Sequence, residues 1–110
     1  MTRVLLGDFE ALARLGFHDV FRRSDLELLE AHTTDILQRL LESLPDVVLL
    51  DLDKDGVVEL AHRIASEFPA VKVIACSSAT PTMRIFPPFH RGESYRSQLD
   101  PARLTRAVQT

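Results

Sequence analysis

The chain has 110 residues and a formal charge of −3, with 45% hydrophobic and 26% charged residues. That suffices for one domain around one core. It is too apolar for a disordered chain and too acidic for broad nucleic-acid binding. Apolar runs are only about four residues long, too short to cross a bilayer, and the first residues lack a signal-peptide pattern, so a cytoplasmic location is expected.

Residues 3–7 read as an apolar strand that ends at Asp8. A first helix is expected over residues 9–17, with Leu12, Ala13 and Leu15 facing inward and Gly16 as its stop. Residues 26–31 give a second, shorter strand. Thr33 or Thr34 is placed to cap a second helix, which runs to about residue 43 with Ile36, Leu37, Leu40 and Leu41 as its apolar stripe. Residues 47–50 are four consecutive aliphatics bounded by Pro45 and the Gly56 turn, the pattern of a strand buried on both faces. That strand delivers Asp51, Asp53 and Asp55 at its end. A third helix over residues 57–68 stops at Pro69. A fourth strand over residues 71–76 contains the single cysteine, Cys76, read as a buried structural thiol in a reducing compartment.

Residues 79–92 contain Pro81, Pro87 and Pro88. Proline lacks the amide proton and blocks the preceding turn, so this segment reads as irregular, with at most one helical turn around residues 82–86. Residues 94–99 form a weak edge strand. Asp100-Pro101 starts a last helix with Leu104 and Val108 inward. Alternating strands and helices of this kind predict an α/β fold with a doubly wound parallel sheet. Five strands make the expected order flavodoxin-like, 2-1-3-4-5, with an irregular fourth helix. In that order Asp8 and Asp51 end side by side at the switch point.

The motifs along this frame are similar to those of response-regulator receiver domains, and the likeness covers nearly all of residues 1–110. Segment 3–17, Arg-Val-Leu-Leu-Gly-Asp-Phe-Glu-Ala-Leu-Ala-Arg-Leu-Gly-Phe, resembles the first strand and helix of regulators that carry a C-terminal helix-turn-helix. Pro-Asp-Val-Val-Leu-Leu-Asp, ending at Asp51, resembles the strand bearing the phosphoacceptor. Val-Lys-Val-Ile-Ala-Cys-Ser, ending at Ser77, resembles the strand ending in the switch hydroxyl. Tyr95 falls where the switch aromatic sits, three residues before the position of a lysine. The resemblance implies Asp51 as phosphoacceptor, Ser77 and Tyr95 as switch residues, and Asp8, Asp51 and Asp53 as weak Mg²⁺ ligands.

The chain also departs from that pattern. Phe9 replaces the second of two adjacent acids, Gln98 replaces the lysine, and the loop after Asp51 is three residues short. Phosphoryl transfer to a carboxylate is mostly positioning and charge neutralisation, so these changes weaken it. The expected protein is an atypical receiver, non-enzymatic and bacterial. It would act through a protein partner, a small ligand, its own DNA-binding domain or a homodimer, without direct nucleic-acid or membrane contact. Phe86 and Phe89 are the expected partner anchors. Arg91, Arg96, Arg103 and Arg106 form a basic cluster. The alternatives are a conventional receiver phosphorylated at Asp51, or a Ca²⁺ or Mg²⁺ module using Asp51-x-Asp53-x-Asp55-Gly56, which matches half of a calcium loop. His18, His32, His62 and His90 show no ligand spacing.

Overall fold

The computed structural model describes residues 1–90 and 92–109, with the backbone alone at Thr33. In chain order the elements are β1 (Thr2–Leu6), α1 (Ala11–Phe21), β2 (Leu26–Glu30), a 3-10 turn (Thr33–Asp35) that runs into α2 (Ile36–Ser43), and β3 (Val47–Asp51). They continue with α3 (Val57–Glu67), β4 (Lys72–Ser77), β5 (Thr82–Phe86), β6 (Tyr95–Gln98) and α4 (Pro101–Gln109).

The α/β class is as expected, but the sheet is not a five-stranded parallel one. It is mixed and six-stranded, in the order β2-β1-β3-β4-β5-β6. β1 pairs in parallel with β2 and β3, and β3 with β4. β5 then returns antiparallel to β4, and β6 antiparallel to β5. The cause is the connection. Only residues 78–81 separate β4 from β5, and a parallel crossover needs a dozen residues or more. Prolines do not disturb β5 because Pro81 precedes it and Pro87 follows it, the strand-boundary positions that proline tolerates. Among the described residues no helix lies between β4 and β6. β6 runs in the direction of β4, but one strand further from the centre.

Helices cover both faces. Leu5, Val48, Leu50, Val73, Ala75 and Phe86 pack with α2 and α3, through Ile36, Leu40, Ala61 and Ile64. On the other face Val4, Leu6, Leu49, Ile74, Cys76, Met83 and Ile85 pack with α1 and α4, through Phe21, Leu104 and Val108. Successive strand residues alternate between the two cores, as the pleat requires. Each fully buried Val, Leu, Ile, Phe or Met among them contributes about 1.5–3 kcal/mol.

The helices show why residues face as they do. α1 continues through Gly16, and Leu12 and Leu15 point outward, 83% and 66% exposed. Ala13 faces inward as expected, and Phe17, Val20 and Phe21 complete the inner stripe, which is i, i+4, i+7, i+8. Phe17 meets Phe9 edge-on at 4.7 Å between ring centres and stacks with Phe21 at 6.4 Å. In α2 the outlier is Leu41, which is exposed. The start of this segment is not capped by Thr34: the Asp35 carboxylate accepts the His32 amide at 3.0 Å. The Thr33 side chain lies outside the described atoms. At α4, Asp100 accepts the Arg103 amide at 2.8 Å and Pro101 opens the helix, as expected. Lys72 Nζ donates to the Ala107 carbonyl at 2.7 Å, a cation against the end of α4, and burial lowers its pKa. No helix among the described residues is long and apolar enough to cross a membrane.

Candidate functional site

Asp51 ends β3 at the carboxyl edge of the parallel part of the sheet. Beside it β1 runs into Gly7, whose amide donates to the Leu49 carbonyl at 2.8 Å. A Cβ on Gly7 would stand 3.0 Å from that same oxygen and 3.2 Å from Leu50 Cδ2. Glycine therefore lets β1 close onto β3 and brings Asp8 to the same edge. Gly56, at φ +77°, turns the acidic loop into α3 through a left-handed conformation that suits glycine.

The loop 52–56 folds back over β4. Leu52 N–H donates to the Cys76 carbonyl at 2.8 Å, and Asp53 N–H to Asp51 Oδ1 at 3.0 Å. This swings the Asp53 carboxylate onto the β4–β5 turn. Its Oδ1 accepts the Ser77 hydroxyl at 2.6 Å. Its Oδ2 accepts the Ser78 amide at 2.9 Å, the Ser78 hydroxyl at 3.2 Å and the Ala79 amide at 3.2 Å. Ser77 Oγ also accepts the Thr80 amide at 3.1 Å, and its single proton is committed to Asp53. One carboxylate thus engages four donors of a single turn.

These bonds, the Ser77 hydroxyl first and then the Ala79 amide, hold the Asp53 carboxyl below the ordinary carboxylate value. A carboxylate favoured by donors stays charged to lower pH. Its contribution to stability is therefore complete above the unfolded value of about 3.9. It is lost as pH falls through the lower folded pKa. Asp53→Asn should flatten the acid side of the stability curve: urea midpoints of wild type and variant should differ at neutral pH and converge on acidification. Curves that stay parallel from neutral to acid pH contradict this role.

Asp8 takes a different partner. Its Oδ2 lies 3.6 Å from Lys54 Nζ, both side chains being partly exposed. Asp51 faces a cavity of about 130 Å³ lined by Phe9, Glu10, Ala13, Phe17, Asp53, Cys76, Ser77, Ser78 and Leu99. Most of that lining is apolar. Phe9 is 5% exposed, packed on Phe17 as part of the core. Cys76 is buried, as expected, and its thiol is pushed up to about 12 by burial and then by the Asp51 charge.

The expected site residues are therefore only partly together. Asp8, Asp51, Asp53 and Ser77 share the carboxyl edge. Tyr95 does not join them. Ser77 pairs with Thr82 and Thr82 with Gln98, whereas Tyr95 pairs with Ile85 three residues further along, about 10 Å down the strand. Gln98 stands level with Ser77 but two strands away, about 10 Å, and its Oε1 accepts Arg103 Nη1 at 2.9 Å. The insertion of β5 sets β6, with Gln98 and Tyr95, one strand further out, and the offset of Tyr95 along β6 is its three-residue spacing from Gln98. Phe86 is no surface anchor: it is 1% exposed, with His62 edge-on at 5.1 Å and the Arg84 guanidinium 5.4 Å from its ring centre. Phe89 is 72% exposed at φ +63°. The basic cluster divides: Arg103 and Arg106 border a hollow with Tyr95 on the α4 side, Arg96 lines a hollow with Arg84, and Arg91 lies outside the described residues.

For a divalent ion, the donors present do not converge. Among the described residues no three His, Cys, Asp or Glu side chains are grouped to hold one. Asp53 is turned to Ser77–Ala79, Lys54 competes for Asp8, and Asp55 stands exposed. Local sequence did not reveal the parts played by Lys54, Ser78 and Ala79. Lys54, a cation between two acids, was the one available signal.

No family model matches the chain, and no curated protein matches it. What the arrangement can do follows from its chemistry alone. The turn at Ser77–Ala79 is a set of convergent hydroxyl and amide donors suited to an anion, and the chain supplies that anion itself.

Proposed function

We infer that this chain is a receiver-like regulatory module that acts by binding, with phosphotransfer at Asp51 replaced by an internal carboxylate. The observation that carries this reading is the bonding of Asp53. A phosphoryl group on Asp51 needs donors for its oxygens, and charge-assisted donors are the strong ones. The hydroxyl and amides of the adjoining β4–β5 turn, on Ser77, Ser78 and Ala79, are already engaged by Asp53. Phe9 adds a buried ring where the family pattern has an acid, and Gln98 is neutral and distant. On this reading Asp53 holds the β4–β5 turn in one setting, and regulation passes to a contact with a protein partner or a following effector domain in the bacterial cytoplasm. The exposed Phe89 supplies one anchor for such a contact.

The experiment is incubation with acetyl phosphate and Mg²⁺ followed by intact-mass measurement. The expected result is no stoichiometric mass gain. Stoichiometric phosphorylation that disappears in Asp51→Asn overturns the reading in favour of a conventional receiver.

A further inference from the structure

The face of the β5–β6 hairpin beside α3 carries an unusual pair. Arg84 on β5 stands directly opposite Arg96 on β6, and like charges directly opposite each other in a sheet repel. Among the described residues neither guanidinium is in a salt bridge. Arg84 is nevertheless fixed. Its Nε donates to Ser94 Oγ at 2.8 Å, and its carbon lies 5.4 Å from the centre of the buried Phe86 ring. This leaves the two terminal nitrogens of Arg84 and the whole guanidinium of Arg96 as donors. Both arginines line one hollow of about 230 Å³ with Thr80, Thr82, Ser77 and Leu52. Thr82 Oγ1 donates to the Thr80 carbonyl and Ser77 Oγ to Asp53, so Thr80 provides the remaining hydroxyl.

The geometry points to a binding site for a tetrahedral oxyanion of the phosphate class, bridging Arg84 and Arg96. Two unpaired guanidiniums match a dianion in charge, and planar guanidiniums engage phosphate oxygens in pairs. The hollow is smaller than the ~300–1,000 Å³ typical of drug-sized ligands, so it takes the oxyanion group itself. A bound dianion converts the cross-strand repulsion into two attractions and stiffens the hairpin. The site is independent of Asp51 chemistry. It adjoins the Asp53-bonded turn through Ser77 and Thr80, so occupancy and the setting of that turn are linked.

The test is titration of the full chain with inorganic phosphate and, separately, phenyl phosphate, at constant ionic strength set with chloride. It is read by the side-chain Nε–H NMR signals of arginine and by the melting temperature. Saturable shifts of Arg84 and Arg96 are expected, with a melting temperature that rises with phosphate. Arg84→Gln and Arg96→Gln should each weaken binding roughly tenfold or more, the loss of one charge-assisted contact, while Arg63→Gln on α3 leaves it unchanged. Tighter binding of the ester identifies an esterified phosphate as the occupant, and equal binding identifies the free ion. Because Arg96 is exposed on the edge strand, Arg96→Gln keeps the fold. If its melting temperature rises with phosphate as much as wild type's, or if no saturable shift occurs, Arg96 is only a charge guarding a sheet edge and the proposal is wrong.

Discussion

Phe86→Ala is expected to destabilise the fold by about 3–5 kcal/mol, a large share of the 5–15 kcal/mol typical of a domain. Phe86 is 1% exposed. It pairs with Val73 across the β4–β5 ladder, packs in the core shared with α2 and α3, and supports both His62 and Arg84. Truncation removes the ring from all of these and leaves a cavity under α3. Phe89→Ala is the contrast. That ring is mostly in solvent, so its removal should change stability by no more than about 0.5 kcal/mol. Urea unfolding of both variants checks the pair. Equal effects would mean that the two aromatics share one environment, contrary to the burial seen here.

Gly7→Ala is expected to cost about 1–3 kcal/mol, the range for overpacking a well-filled site. The added Cβ would meet the Leu49 carbonyl oxygen at 3.0 Å. This neighbour is backbone, so the contact is relieved only by moving β1 away from β3. That movement also strains the Gly7 N–H bond to the same carbonyl and shifts Asp8 from Asp51 at the sheet edge. Chemical denaturation gives the stability change, and amide exchange at Gly7 locates it. A variant as stable as wild type would show that the strands yield there without loss.

Much of the frame was legible because its signals are local. The short run Val47–Leu50 between Pro45 and the Gly56 turn has the pattern of a strand buried on both faces, and Gly56 and Pro69 bound the helix that follows it. Asp100-Pro101 marks the start of α4 by capping chemistry alone. The failures are also physical. β5 alternates cleanly, with Met83 and Ile85 to one core and Phe86 to the other, but its flanking prolines masked a strand that they bound rather than interrupt. In α1 the choice between Leu12 with Leu15 and Phe17 with Phe21 is made by Phe9, which lies outside the helix and supplies the aromatic contact. The role of Asp53 rests on partners 24–26 residues away, and no spacing within the acidic loop reports it. The misread β5 accounts for the outward shift of β6 that carries Gln98 and Tyr95 away from Ser77.

The central claim is that the anion seat at Ser77–Ala79 is already filled by Asp53. The most direct measurement is the backbone amide NMR spectrum on adding beryllofluoride, a phosphoryl mimic, with Mg²⁺. The Ser78 and Ala79 amides should keep their positions, and the same reagent should leave the Ser77 hydroxyl bonded to Asp53. Stoichiometric shifts of Ser78 and Ala79 that are absent in Asp51→Asn would show that a group on Asp51 displaces Asp53 from the seat, and would contradict the account.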